Sequence, residues 1–146
     1  MFYIIIQARM SSMRLPKKVL FRIGNKPLLQ FLIDRLSFLK FDNDIVELTR
    51  CEDCGPGTKL LGSLKKFEKD SLVILADDDH VYENYMIEKF FYFYSKAPEN
   101  AYSFYVYPIE NFPVGQGADG FAINTNHLKD IQSFYDKVVK EYKELF

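Results

Sequence analysis

Tryptophan is absent, and cysteine and histidine occur only twice each. Two cysteines cannot build a disulfide framework, and they fall short of the four ligands of a structural zinc site. Cys51 and Cys54 do form a C-x-x-C, but a redox pair of that kind normally opens a helix, whereas Gly55-Pro56-Gly57 follows here. They read as reduced thiols, which suits a cytoplasmic chain. No stretch approaches the ~20 apolar residues of a membrane span. The apolar part of the opening MFYIIIQAR is too short for a signal peptide and has no basic residue ahead of it. Net charge is also nearly missing, at −1, so nothing drives the chain toward nucleic acid or an anionic membrane.

What is present is apolar and aromatic. Hydrophobic residues make up 48% of 146 residues, enough for one compact α/β domain over 1–146. FYIII (2–6) is a continuous apolar run, expected to be a strand covered on both faces. A polar, basic loop follows from Gln7 to Lys18, then a short apolar piece, 19–23, closed by a Gly24-Asn25 turn. Pro27 suits a first helical position, and Leu28, Leu29, Leu32, Ile33, Leu36 and Leu39 recur at helical spacing, predicting a helix over 27–39. DIVELT (44–49) is a second strand candidate. Leu60, Leu61, Leu64 and Phe67 mark one face of a helix after Thr58. SLVILA (71–76) is the clearest buried strand, running straight into DDDH. A helix is expected over 83–95, strands over 101–107 and 120–124, and a Pro/Gly-rich loop over 108–118. A last helix should start near Asn126, a good N-cap residue. Strands alternating with helices predict a layered domain with a largely parallel sheet. Ligands in such sheets bind beyond the carboxyl ends of the strands, so the basic loop and the acid run should share one edge.

Three constellations carry chemistry. The loop Arg9-Met10-Ser11-Ser12-Met13-Arg14-Leu15-Pro16-Lys17-Lys18 can surround phosphates, Arg with planar paired donors and Lys with a point charge. Six cations and no acid precede Asp34, a local bias that suggests a small anion as partner, although a solvated basic loop would look the same. Asp77-Asp78-Asp79 crowds three carboxylates at a strand tip. A divalent ion, Mg²⁺ or Mn²⁺, explains that better than packing does, and an acidic turn ahead of a helix is the alternative. Asp119, in a glycine-flanked segment with Gly117 and Gly120, presents an exposed carboxylate on tight backbone, with an ordinary Asp-Gly turn ahead of a strand as the alternative. His80 and His127 stand alone. The aromatic group Phe90, Phe91, Phe93 and Tyr94 is read as core, with a surface for self-association through 83–95 as the alternative.

Two resemblances add to these readings. IIQARMSSMRLPKKVL and GNKPLLQFLIDRL, over 3–36, resemble the opening of sugar cytidylyltransferases of the spore-coat polysaccharide and CMP-sugar synthetase type. That resemblance implies a loop wrapping nucleotide phosphates through Arg9, Ser11, Ser12, Arg14 and Lys18. Ser11 stands where that family usually has Gly. RCEDCGPGTKLLGSL and SLVILADDDHVYENYM, over 45–90, resemble glycosyltransferases with the GT-A nucleotide-sugar fold. This second resemblance implies Mn²⁺ or Mg²⁺ at Asp77, Asp78 and Asp79, the last as direct ligand. It also implies Asp53, Thr58 and Lys59 near the nucleotide, with Asp119 as base toward the acceptor. Lys59 could equally be a solvated helix residue.

The expected fold is thus a GT-A/Rossmann-like layered domain, and the leading expectation a metal-dependent glycosyltransferase moving a sugar from a nucleoside diphosphate to a carbohydrate or other hydroxyl acceptor. The alternatives are a sugar cytidylyltransferase using CTP, and a shortened, non-catalytic binding module.

Overall fold

The computed structural model describes residues 1–8, 15–36, 49, 51, 57–78, 80–116 and 120–141. Its centre is a four-stranded sheet built from β1 (Phe2–Gln7), β4 (Leu72–Asp77), β5 (Tyr102–Ser103) and β8 (Phe121–Asn124), in the order β1-β4-β8-β5. Two small antiparallel pairs accompany it: β2 (Arg22–Ile23) with β3 (Lys26–Pro27), and β6 (Val106–Ile109) with β7 (Phe112–Gly115). Four α-helices are described, α1 (Leu28–Leu36), α2 (Thr58–Leu61), α3 (Met86–Tyr94) and α4 (Ile131–Glu141), along with 3-10 turns at Lys18–Leu20, Leu64–Lys66 and Thr125–Leu128. No helix among the described residues is long and apolar enough to cross a membrane.

β4 is the sheet's hydrophobic axis, as its unbroken apolar run demands. Leu72, Val73, Ile74 and Ala76 are all essentially inaccessible. Alternation along the strand divides them between two faces. Leu72, Ile74 and Ala76 share one core cluster with Ala122 of β8, Leu32 of α1, and Met86, Ile87 and Phe90 of α3. Phe2, Ile4 and Ile6 of β1 pack at the margin of that cluster. β1 is half-buried over Phe2–Ile6, with Tyr3 on its other face packed against Phe67, and among the described strands it has a paired neighbour on one side only.

The sheet is mixed where a largely parallel one was expected. β1 and β4 run parallel, from Phe2 opposite Leu72 to Gln7 opposite Asp77. β8 runs antiparallel to both β4 and β5. The reason lies in the expected loop 108–118, most of which is a hairpin. A parallel return needs a crossover of a dozen or more residues, usually helical. Here β5 ends at Ser103, β6 and β7 fold back on one another, and Phe121 starts β8 opposite Ser103 and Leu75. The chain re-enters the sheet at the edge it left, so β8 must run backwards. The single strand expected over 101–107 is correspondingly split, with Phe104 and Tyr105 between β5 and β6.

Other boundaries moved for local reasons. Gly24, at φ 60°, forms the β2–β3 turn with Asn25, and Pro27 belongs to β3, so α1 starts at Leu28. Asn124, not Asn126, supplies the capping oxygen before the last helical segment: its side chain accepts the Asn126 N–H at 2.8 Å. A 3-10 turn over Thr125–Leu128 comes first, and α4 starts only at Ile131. α3 occupies 86–94 and divides its aromatics. Phe90 is buried and Phe91 and Tyr94 pack against the core, while Tyr92 and Phe93 are exposed. The strand candidate at 44–49 lies outside the described residues except for Thr49, which is not in a strand.

Candidate functional site

The final rung of the parallel ladder puts Gln7 opposite Asp77, so β1 and β4 end together. Whatever follows each strand therefore begins at one edge of the sheet. Two lysines reach that edge from different parts of the chain. Lys17 takes a left-handed conformation, φ 58°, and the Lys18 N–H donates to the Leu15 carbonyl at 3.2 Å. A 3-10 turn over Lys18–Leu20 follows, pinned by Val19, which is 1% exposed. From this anchored turn the Lys18 ammonium lies 3.5 Å from Oδ1 of Asp78. The second lysine, Lys59, stands in α2, the short helix that packs beside β1, and its ammonium pairs with Oδ1 of Asp77.

Both ion pairs are largely withdrawn from water. Side-chain exposure is 21% and 12% for Lys18 and Asp78, and 13% and 26% for Lys59 and Asp77. At such burial each charge depends on its partner, because removing one leaves the other poorly solvated. The carboxylate run that looked uncompensated in sequence thus has two ammonium neighbours. One atom stays outside this balance: Oδ2 of Asp78 is buried and has no hydrogen-bond partner. Buried carboxylate oxygens are normally satisfied, and an orphan at a strand tip is of the kind that an ion, a water or a ligand group completes.

The strand tip is held by Tyr82. Its hydroxyl accepts a hydrogen bond from the Asp77 backbone N–H, and the residue is 4% exposed. The His80 ring lies 4.9 Å from the Tyr82 ring. Sequence reasoning assigned no role to Tyr82. The signal was available: an amphipathic aromatic closely following a buried strand can place its ring in the core and its hydroxyl against the strand's last N–H.

Of the other expected site residues, Thr58 opens α2 and is half-buried, one residue before Lys59. Arg9, Ser11, Ser12, Arg14, Asp53, Asp79 and Asp119 lie outside the described residues. The described neighbours of the 117–119 segment adjoin the same sheet edge. The Ser103 hydroxyl donates to the Gln116 carbonyl at 3.0 Å, and Gly120 precedes Phe121, which stands opposite Leu75.

Among the described residues no group of three or more His, Cys, Asp or Glu side chains is close enough to hold a metal ion. Asp77 and Asp78 are nevertheless hard oxygen donors of the kind Mg²⁺ and Mn²⁺ prefer, and such ions commonly take one or two carboxylates and complete their shell with phosphate and water. The unpartnered Oδ2 of Asp78 is the atom that fits such an ion.

Comparison with known proteins places part of this site in a family context. A family model described as cytidylyltransferase matches residues 3–46, less than a third of the chain. The matched segment contains β1 from Tyr3 onward, the basic loop, Lys18 and α1, and stops short of α2 and β4. No curated protein matches the chain.

Proposed function

We propose that this chain binds a nucleotide through its phosphates at the shared end of β1 and β4, and that it is a nucleotidyltransferase of the cytidylyl type. One observation carries the reading: Lys18, inside the segment similar to cytidylyltransferases, meets Asp78 at the tip of the central strand. A basic group on a positioned turn and a carboxylate with an unused buried oxygen are the two components that phosphate binding with a divalent ion requires.

In the proposed reaction a sugar hydroxyl attacks the α-phosphorus of CTP. A new P–O bond forms, the bond to the β-phosphate bridging oxygen breaks, and pyrophosphate leaves with that electron pair. The hydroxyl proton passes to a carboxylate, for which Asp119 is the candidate. Lys18 and Lys59 would stabilise charge on the phosphates. Asp77 and Asp78, with Asp79, would hold Mg²⁺ or Mn²⁺, which when bound neutralises the leaving pyrophosphate.

A second reading, transfer of a sugar from a nucleoside diphosphate, is favoured by the contact between Lys59 and Asp77. It joins the Gly-Pro-Gly-Thr-Lys segment to the acidic strand tip, the two parts of the GT-A-like pattern. The readings separate in a thermal-shift panel of CTP, CMP-sugars, UDP-sugars and GDP-sugars, each with and without Mn²⁺. A metal-dependent shift with CTP supports nucleotidyl transfer, and a shift confined to diphosphate sugars supports glycosyl transfer. No response to any of them would refute both and leave the binding-module alternative.

A further inference from the structure

The hairpin of β6 and β7 carries an exposed apolar face. Its register sets Tyr107 opposite Val114 and Ile109 opposite Phe112. The Gln116 N–H donates to the Tyr105 carbonyl at 2.9 Å, which continues the same register toward the sheet. Directly opposed residues share a face, and so do residues two apart along one strand. Tyr105, Tyr107, Ile109, Phe112 and Val114 therefore form one surface, and each is between 43% and 71% exposed. The other face is turned inward at the hairpin's root. A Cβ added to Gly115 would come within 2.9 Å of the Ser103 Cβ and 3.1 Å of the Phe121 ring. The five-residue surface thus looks away from the four-stranded sheet. A lone two-stranded hairpin is marginal in water, so one that bares its larger apolar side gains from a cover.

Three observations select that cover. Residues 100–118 hold one charged side chain, Glu110 in the turn, and no Lys or Arg. Nucleic acid and anionic membranes are recognised through basic groups, so neither suits this face. The edges are closed to a further strand as well. Pro108 and Pro113 stand opposite one another in the middle of the hairpin, and neither has an N–H to offer a strand arriving from outside. Contact is left to the face. The area, lastly, fits self-association. The five residues expose roughly 600 Å² per copy, at ~150–250 Å² for a whole aromatic side chain. Two such faces together reach about 1,200 Å², where specific and stable interfaces begin.

We infer that the β6–β7 hairpin is a dimerisation surface, its Tyr105–Val114 face packing sheet to sheet against the same face of a second copy of this chain. The pairing is isologous, one patch meeting itself about a two-fold axis. Antiparallel packing keeps the two Glu110 carboxylates at opposite ends, clear of each other and of the apolar centre. This surface is separate from the exposed aromatics of α3, Tyr92 and Phe93, and it does not depend on the phosphate-site reading.

Sedimentation velocity of the full-length chain at increasing concentration reads the inference. Wild type should pass from monomer to dimer in roughly the micromolar range, as expected of a modest interface. Ile109→Asp puts a carboxylate in the centre of each apolar face and should weaken dimerisation by about a hundredfold or more. Tyr107→Ser removes a ring without adding charge and should weaken it about tenfold. Circular dichroism checks that the variants fold, and the serine variant carries the test if the aspartate one does not. Tyr92→Glu, on α3, should associate as wild type does. A wild type that stays monomeric throughout, folded hairpin variants that dimerise like wild type, or dissociation by Tyr92→Glu alone would each overturn the inference.

Discussion

Gln7 and Asp77 face one another across the last rung of the β1–β4 ladder, and this pairing brings two distant stretches of sequence to one place. Lys18 follows β1 and reaches the acidic tip of β4, and Lys59 reaches it from α2. Had β4 run antiparallel to β1, Asp77 would lie at the far end of the sheet from the loop after Gln7. Parallel pairing in register is thus the structural cause of the candidate site.

Tyr82 should matter to stability and to the site. Tyr82→Phe keeps the buried ring but leaves the Asp77 N–H without its acceptor. A part-buried donor left unsatisfied costs about 1–3 kcal/mol. Urea unfolding should show a loss in that range, with nucleotide binding weakened as well because the strand tip loosens. Unchanged stability would mean that the hydroxyl is not holding the strand.

Gly120 has a backbone only glycine adopts readily, φ 94°, and a Cβ there would come within 2.9 Å of the Met86 sulfur. Gly120→Ala combines a disfavoured backbone with a clash in the α3 packing, so it should destabilise the fold by more than about 1 kcal/mol. A thermal melt of the variant measures this directly.

Tyr94 gives the fold a stability that alkali removes. Burial, and then the Asp70 carboxylate, push its phenol above the ordinary value, opposed by the Asn124 hydrogen bond. A raised folded pKa means that the native state favours the neutral phenol. The contribution is complete below the unfolded value near 10 and is lost as pH climbs through the raised one. Tyr94→Phe should therefore lose less stability than wild type between pH 9 and 11, roughly the window that spans the unfolded value. It should be somewhat weaker at neutral pH, where the bond from the Asn124 side chain, 2.6 Å long, is missing. Chemical denaturation at stepped pH would reveal both effects. Parallel curves for the two proteins would contradict them.

Asn124 ties together the other end of the sheet. Its amide donates to Asp70 at 2.9 Å and to Tyr94, and its carbonyl oxygen accepts the Asn126 N–H, while the residue is 3% exposed. Asn124→Ala removes all three bonds at once, and a cost of about 2–3 kcal/mol is expected, since hydrogen bonds contribute ~1 kcal/mol each. Denaturant titration would measure it.

The parts of this fold that were readable in advance are those where side-chain pattern alone decides. SLVILA had to be a buried strand, and β4 is the most buried element described. The Gly24-Asn25 turn and the leucine spacing of α1 were equally legible. Reversal of β8 was not, because strand direction depends on the connection. The segment 104–115 carries the Pro and Gly that suggest a loop, along with the alternating Val, Tyr, Ile and Phe that make a hairpin, here mostly exposed. At the site, an edge shared by the end of the basic loop and the acid run followed from the expectation of a largely parallel sheet, and Lys18 beside Asp78 is the part of it that the described residues include. The lysine partners of the aspartates did not follow. The sequence resemblance points Lys18 to phosphate and Lys59 to nucleotide or solvent, and only three-dimensional proximity shows that each meets a carboxylate.

The most direct test of the account is the affinity of the wild-type protein for CTP with Mg²⁺, set against that of Lys18→Ala, by calorimetric titration. If the shared end of β1 and β4 is the phosphate site, wild type binds and Lys18→Ala binds about tenfold more weakly, as expected for loss of a charge-assisted contact worth ~1.5 kcal/mol. Equal affinity in a folded variant would contradict the placement of the nucleotide at this edge.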